Sequence, residues 1–138
     1  MNDSSVSVAK IAQILDLKNF TDNIDLKKIK ITSSDVNRPA LQLTGYFAHF
    51  EQSRIQMIGN VEYAYIQQMN DEEKRIRYSA FLQFEIPCVI FCRDLQPDAI
   101  FIEQAEKNHV PILGTSRPTS EFMAELIYTL AEKLAPSI

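Results

Sequence analysis

The chain has 138 residues, of which 46% are hydrophobic and 23% charged, and its formal net charge is −4. This length suits one domain, and the hydrophobic fraction is high enough for a core, which excludes an intrinsically disordered chain. No apolar run approaches the about 18 residues of a membrane span, and residues 1–5 lack the pattern of a signal peptide. The excess of acidic residues argues against a general nucleic-acid binder. We therefore expect a cytoplasmic protein with neither nucleic acid nor membrane as partner.

Hydrophobic periodicity and the positions of proline and glycine predict alternating helices and strands. The predicted helices cover residues 8–15, 40–44, 61–69, 72–84, 97–108 and 122–134. The predicted strands cover residues 26–36, 54–58, 87–92 and 110–113. Strands joined through helices pair in parallel by right-handed crossovers, so the predicted fold class is α/β.

Two cysteines, Cys88 and Cys92, lie four residues apart in the apolar strand predicted over residues 87–92. Four strand residues span roughly 13 Å, whereas a disulfide requires Cα atoms within about 7 Å, so both thiols are expected to be reduced and buried. A Cys–His catalytic pair with His49 or His109 stays formally open, although buried structural thiols are inert. No standard zinc-ligand spacing is present.

The three glycines of the chain, Gly45, Gly59 and Gly114, are too far apart to form the common phosphate-binding loops. A P-loop requires two glycines five residues apart followed by Lys and Ser or Thr, and a dinucleotide-binding fingerprint requires three clustered glycines. Both are excluded. We expect neither a catalytic residue nor a cofactor or metal site in this chain.

The polar segment of residues 32–39 is the candidate functional site, because it leads from a predicted strand into a short helix that begins after Pro39. Ligands of α/β folds bind at such places, and Arg38 is suited to hold a phosphate or carboxylate. The interpretation we favour is structural: Ser34, Asp35 or Asn37 caps the helix, and Arg38 pairs with a neighbouring acid. Asp35 is then partly buried and accepts hydrogen bonds from backbone amides or from Arg38.

The sequence also predicts the surroundings of two further groups of side chains. Arg54 and Gln56 alternate with apolar residues and are expected on the solvent face of a strand, with a binding surface as the alternative. The aromatic residues Tyr46, Phe47 and Phe50 are expected in the core, with a partner surface as the alternative.

The chain also resembles a known family through a series of short segments. They are Ile-Thr-Ser-Ser-Asp-Val-Asn-Arg-Pro at 31–39, Gly-Tyr-Phe at 45–47, Arg-Ile-Gln at 54–56, Gly59, Val-Glu at 61–62, Asp-Glu-Glu-Lys at 71–74, Val-Pro-Ile-Leu at 110–113 and Leu-Ala-Pro at 134–136. In this order they resemble the N-terminal domain of HPr kinase/phosphorylase, a bacterial sensor enzyme of sugar uptake.

The resemblance implies that residues 1–136 form a regulatory and oligomerisation domain, and that residues 137–138 begin a linker to an absent C-terminal kinase domain. In this family the C-terminal domain uses ATP or pyrophosphate with Mg²⁺, phosphorylates a serine of the carrier protein HPr and removes that phosphate by phosphorolysis. The resemblance further implies a hexamer, and a three-layer fold with a small mixed or parallel sheet like the first domain of the Mur ligases. The alternative is a module that binds a sugar phosphate or a uridine nucleotide.

Overall fold

A five-stranded mixed sheet forms the centre of the structure, a computed structural model that describes residues 4–136. The strands are β1 (Val6–Ser7), β2 (Lys18–Asn19), β3 (Lys30–Ile31), β4 (Val36–Asn37), β5 (Ile55–Ile58), β6 (Val89–Phe91) and β7 (Ile112–Gly114). The helices are α1 (Val8–Ile14), α2 (Ala40–Leu43), α3 (Asn60–Gln67), α4 (Asp71–Leu82), α5 (Ala99–Lys107) and α6 (Thr119–Leu134). Residues 137–138, expected to begin a linker, lie outside the described part.

The strand order of the main sheet is β2-β7-β6-β5-β4, with β4 to β7 parallel and β2 antiparallel to β7. A second, two-stranded sheet pairs β1 with β3 in antiparallel fashion. The parallel strands follow one another in chain order, and a helix or a pair of helices connects each to the next. The predicted α/β class with parallel pairing is therefore confirmed.

Helices cover both faces of the main sheet, and alternate strand residues enter two separate cores. On one face, α1, α6 and the small sheet pack against Ile55, Met57, Cys88, Ile90 and Cys92. On the other face, α2 to α5 enclose the remaining side chains of the central strands, which include Ile58, Val89, Phe91 and Ile112. This three-layer arrangement explains why β6 is apolar at every position, because a strand covered on both faces has no solvent side.

The strand predicted over residues 26–36 is wrong as a single element. The segment forms a single 3-10 turn (Leu26–Lys28), the short strand β3, a polar loop and then β4, and β3 and β4 belong to different sheets. Asp25 starts the turn by accepting a hydrogen bond from the Lys27 backbone N–H at 3.0 Å. The four polar residues between β3 and β4 carry no apolar side chain that would hold them on a sheet.

Helices α4 and α5 are joined at the start of α5. Asp98 accepts hydrogen bonds from the Phe101 backbone N–H at 2.8 Å and from the Tyr78 hydroxyl at 2.8 Å, and its carboxylate lies 3.3 Å from Lys74 Nζ. This contact fixes the helices that lead into β6 and β7. Within residues 4–136, no helix is both long enough and apolar enough to cross a membrane.

Candidate functional site

The predicted segment of residues 32–39 spans the loop before β4, β4 itself and the connection to α2, and Asp35 lies in that loop, where it is exposed. Its side chain is 69% exposed, and its carboxylate lies 3.7 Å from Arg54 Nη2. The backbone N–H of Asp35 donates to Ser33 Oγ at 3.1 Å, and Ser34 is half-buried in the same loop. The expectation that Asp35 is partly buried and accepts hydrogen bonds from backbone amides or from Arg38 is wrong, because Asp35 precedes β4 whereas Arg38 follows it. The expected capping of α2 by Ser34, Asp35 or Asn37 is also wrong, since Pro39 precedes α2 and no side chain caps the helix.

Gln56 is fully buried, which corrects the expectation that it faces solvent. Its Oε1 accepts a hydrogen bond from Asn37 Nδ2 at 2.6 Å, and its Nε2 donates to the Arg54 carbonyl at 2.9 Å. Asn37 Nδ2 also donates to Gln42 Oε1 at 3.1 Å. These amides connect β4, β5 and α2, so they stabilise the corner and are already satisfied without a ligand.

Arg54 stays at the surface, as predicted. Its guanidinium donates to the Glu51 carboxylate, which lies 2.7 Å away, and both side chains are partly exposed. The structure therefore brings Arg54 and Asp35 together, and separately brings Gln56 to Asn37. Arg38 takes part in neither contact.

Arg38 forms a two-pronged ion pair with Glu62 of α3. Its Nε donates to Glu62 Oε2 at 3.0 Å and its Nη2 to Glu62 Oε1 at 2.7 Å. Glu62 Oε1 also accepts the Gly59 backbone N–H at 2.8 Å, so the carboxylate occupies the start of α3. The Glu62 side chain is only 3% exposed, whereas that of Arg38 is 36% exposed. The predicted pairing of Arg38 with an acid is confirmed, and Glu62 is that acid.

Gly59 directly follows β5, and both Arg38 and the start of α6 lie close to it. A Cβ atom on Gly59 would lie 2.7 Å from Thr119 Oγ1 of α6 and 2.8 Å from Arg38 Nη2. The Thr119 hydroxyl is buried and has no hydrogen-bond partner among the described residues. Only glycine therefore allows Arg38 and the start of α6 to approach the strand end together.

The two thiols lie at opposite ends of β6, both buried as predicted. Burial raises the pKa of Cys88 to about 12. Burial also raises the pKa of Cys92, to about 11, while the charge of Arg38 opposes the rise. Neither thiol is a nucleophile at neutral pH, because the thiolate is the reactive form.

The carboxyl ends of β4 and β5 are thus occupied by the chain's own groups. Sequence reasoning missed Glu62, Gly59 and Thr119 in this arrangement. One signal for Glu62 was available: it follows Gly59 by three residues, the spacing at which a glutamate reaches back to the first backbone N–H of a helix. No sequence signal shows that Thr119 lies close to Gly59, because Thr119 belongs to a helix that begins sixty residues later in the chain.

A cavity of about 490 Å³ lies at the opposite edge, beside the amino ends of β5, β6 and β7. Its lining comes from the turn before β3, the loop from α4 to β6 and the loop from α5 to β7. The residues are Lys28, Ile29, Lys30, Thr32, Ser53, Gln83, Phe84, Glu85, Ile86, Pro87, Asn108, His109 and Val110.

Known proteins match the chain along nearly its whole length. The sequence profile of the family described as "HPr Serine kinase N terminus" matches residues 6–130. The chain belongs to this family. An HPr kinase/phosphorylase of Lachnoclostridium phytofermentans is 44% identical over 134 residues, which is 97% of this chain and 43% of the relative. An HPr kinase/phosphorylase of Clostridium botulinum (strain Eklund 17B / Type B) is 38% identical over 132 residues, again 43% of the relative. The chain therefore spans less than half the length of these relatives.

One solved structure shares the fold at low sequence identity. It contains the CBS and DRTGG domains of the regulatory region of Clostridium perfringens pyrophosphatase, complexed with the activator diadenosine tetraphosphate. The TM-score is 0.60 at 18% identity, over 90% of this chain and 46% of the other. At this identity the likeness concerns the fold alone.

Proposed function

We propose that this domain regulates and helps to assemble a bifunctional HPr kinase/phosphorylase that controls bacterial carbohydrate metabolism. The observation that carries the proposal is the family match over residues 6–130, together with relatives of which this chain covers 43%. The serine kinase and phosphorylase chemistry then belongs to a C-terminal domain, which would bind HPr and use ATP or pyrophosphate with Mg²⁺. The hexameric assembly, the cytoplasmic location and the likeness to the Mur ligase domain are parts of the same proposal.

An exposed apolar surface supports a role in contacts with other protein surfaces. Five large side chains on or beside the contacting helices α2, α3 and α4 are exposed to solvent, and we call them the α2–α4 surface: Leu41, Tyr46, Val61, Tyr65 and Ile76. The expectation that Tyr46 is a core residue is wrong, since it is 52% exposed, whereas Phe47 and Phe50 pack against the core. Exposed apolar patches are typical of interaction sites, and we infer that these side chains contribute to one.

The reading frame beyond Ile138 provides the first test. We expect it to continue into a glycine-rich loop with Lys followed by Ser or Thr, because phosphoryl transfer depends on positioned phosphates and metal ions. A stop codon directly after Ile138 would contradict the proposal.

The full-length protein provides the second test. We expect Leu41→Asp combined with Val61→Asp to change the oligomeric state in sedimentation, or the response of HPr phosphorylation to effectors, while the basal rate of phosphoryl transfer persists. The matched control is Tyr128→Asp, which alters a side chain 72% exposed on α6, on the other face of the sheet. Normal assembly and regulation in the double variant would contradict a role for this surface.

A further inference from the structure

We propose that the cavity at the amino edge of the sheet binds a small organic anion, one that carries a phosphate or carboxylate group on an apolar or aromatic body. We call this cavity the amino-edge cavity. It lies at the opposite end of the strands from Arg38. The inference concerns this chain alone and does not depend on the kinase function proposed above.

The volume and the lining residues of the amino-edge cavity suit a small organic molecule. Its volume of about 490 Å³ lies within the roughly 300–1,000 Å³ range of small-molecule sites. Its lining includes the apolar residues Phe84, Ile86 and Pro87. Gln83, Asn108 and Ser53 add polar groups at the rim. A lining that combines apolar and polar residues suits a ligand that has both an apolar body and a polar group.

The positive charge of the lining residues favours the binding of an anion. Lys28 and Lys30 both line the cavity and are exposed, and within residues 4–136 neither takes part in a salt bridge. Glu85 is the acidic residue among the lining residues, and His109 adds an imidazole. The lining is therefore positive in a chain whose net charge is −4. Two unpaired ammonium groups at one cavity provide the attraction for a phosphate or carboxylate.

The loops around the cavity are held in place without a ligand. The Glu85 backbone N–H donates to Gln52 Oε1 at 2.9 Å, and the Val110 N–H donates to the Ala105 carbonyl at 2.9 Å. Asn108 Nδ2 donates to the Gln104 carbonyl at 2.9 Å, which fixes the end of α5. His109 adopts the left-handed conformation, with φ of 59°, at the turn into β7. A preformed site loses less free energy to ordering when a ligand binds.

A second cavity shows why the amino edge is the place for an anion. It has a volume of about 160 Å³ and lies at the carboxyl edge, beside β2, β6 and β7. Its lining includes the acids Asp16 and Asp94 but only one cation, Lys18. It is smaller and carries more negative charge, so it suits the proposed ligand less well.

Titration of the chain with phenyl phosphate, followed by ¹H–¹⁵N NMR, tests the proposal. We expect saturable shifts confined to the backbone amides of the lining residues, with weaker shifts for inorganic phosphate and for phenol. Benzoate as a second probe distinguishes a carboxylate from a phosphate preference. The Lys28→Gln/Lys30→Gln variant is expected to bind at least tenfold more weakly. The control variant Lys10→Gln/Lys27→Gln removes two other exposed lysines, of which one lies in the same turn, and is expected to bind normally.

Three results would overturn the proposal: no saturable shift for either aromatic anion, saturable shifts centred on other residues such as Arg38, or equal weakening of binding in both lysine variants. Binding of inorganic phosphate as strong as that of phenyl phosphate would overturn the apolar part of the assignment. Both variants remove the same charge from exposed side chains. If the spectra of the free variants match that of the wild type away from the substituted positions, folding is intact.

Discussion

The two edges of the parallel sheet use charge in opposite ways. At the carboxyl edge, Arg38 is bound by the buried carboxylate of Glu62, and Gly59 allows Arg38 and Thr119 of α6 to approach the strand end. At the amino edge, Lys28 and Lys30 face a cavity of about 490 Å³. Ligands of α/β folds usually bind at carboxyl edges, yet here that edge is internally satisfied where Arg38 lies. The comparison shows that a fold's usual site can serve stability in one of its members.

The largest expected effect concerns the thiols at the two ends of β6. With pKa values of about 12 for Cys88 and about 11 for Cys92, their thiolate fractions near neutral pH are far below those of an ordinary thiol. At pH 8 we expect Cys88 to react about 1,000-fold and Cys92 about 100-fold more slowly than in the unfolded chain. Timed alkylation with mass spectrometry measures both rates.

Raised thiol pKa values also fix the sign of a pH effect. The unfolded thiols ionise first as the pH rises, so these groups lower the free energy of unfolding between the unfolded pKa and about pH 12. Modification of Cys92 at the rate of a free thiol would contradict the closed carboxyl edge and would reopen the Cys–His alternative.

The next effect comes from removal of Arg38. We expect Arg38→Ala to lower the free energy of unfolding by about 3 kcal/mol, because Glu62 would be left as a buried and unpaired carboxylate. Urea denaturation measures the change. Arg54→Ala is the matched control: its acidic partners are largely exposed, so we expect a loss below about 0.5 kcal/mol. If the two variants lose equal stability, the contrast between buried and exposed arginines is wrong.

A smaller effect isolates the close approach at Gly59. We expect Gly59→Ala to destabilise the domain by about 2 kcal/mol, because the new methyl group would overlap Thr119 and Arg38. The φ angle of −117° suits any residue, so backbone strain does not contribute. In a double-mutant cycle, Thr119→Ala should recover part of the loss, since its hydroxyl has no partner to lose. Additive losses would show that α6 does not press on Gly59.

The sequence predicts most of the fold because its strongest patterns are local. The apolar runs that became β6 and β7, and the spacing of Phe122, Leu126 and Leu130 in α6, need no knowledge of distant residues. The strand over residues 26–36 was wrong because short alternation of lysine and isoleucine does not show where a sheet ends. Such local signals are weakest at boundaries.

The site was harder to predict, because its contacts join residues far apart in the chain. Arg38 forms an ion pair with an acid twenty-four positions later in the chain, and no pattern near Arg38 in the sequence indicates which acid it is. Gln56 alternates with apolar neighbours as an exposed residue would, but β5 is covered on both faces, so its polar side chain is buried and bonded to Asn37. Alternation predicts exposure only where one face of a strand meets water.

The smallest expected effect concerns Asp35, for which sequence reasoning indicated a partly buried, hydrogen-bonded acid. Its side chain is 69% exposed, and its carboxylate lies 3.7 Å from Arg54 Nη2, which is also paired with Glu51. We expect Asp35→Ala to change the free energy of unfolding by less than about 0.5 kcal/mol, as is usual for exposed ion pairs. Asn37→Ala, two residues later, is the informative comparison: it removes the partner of buried Gln56, and we expect it to lose about 1–3 kcal/mol. A loss above about 1 kcal/mol for Asp35→Ala in urea denaturation would mean that this loop packs against the rest of the domain in solution.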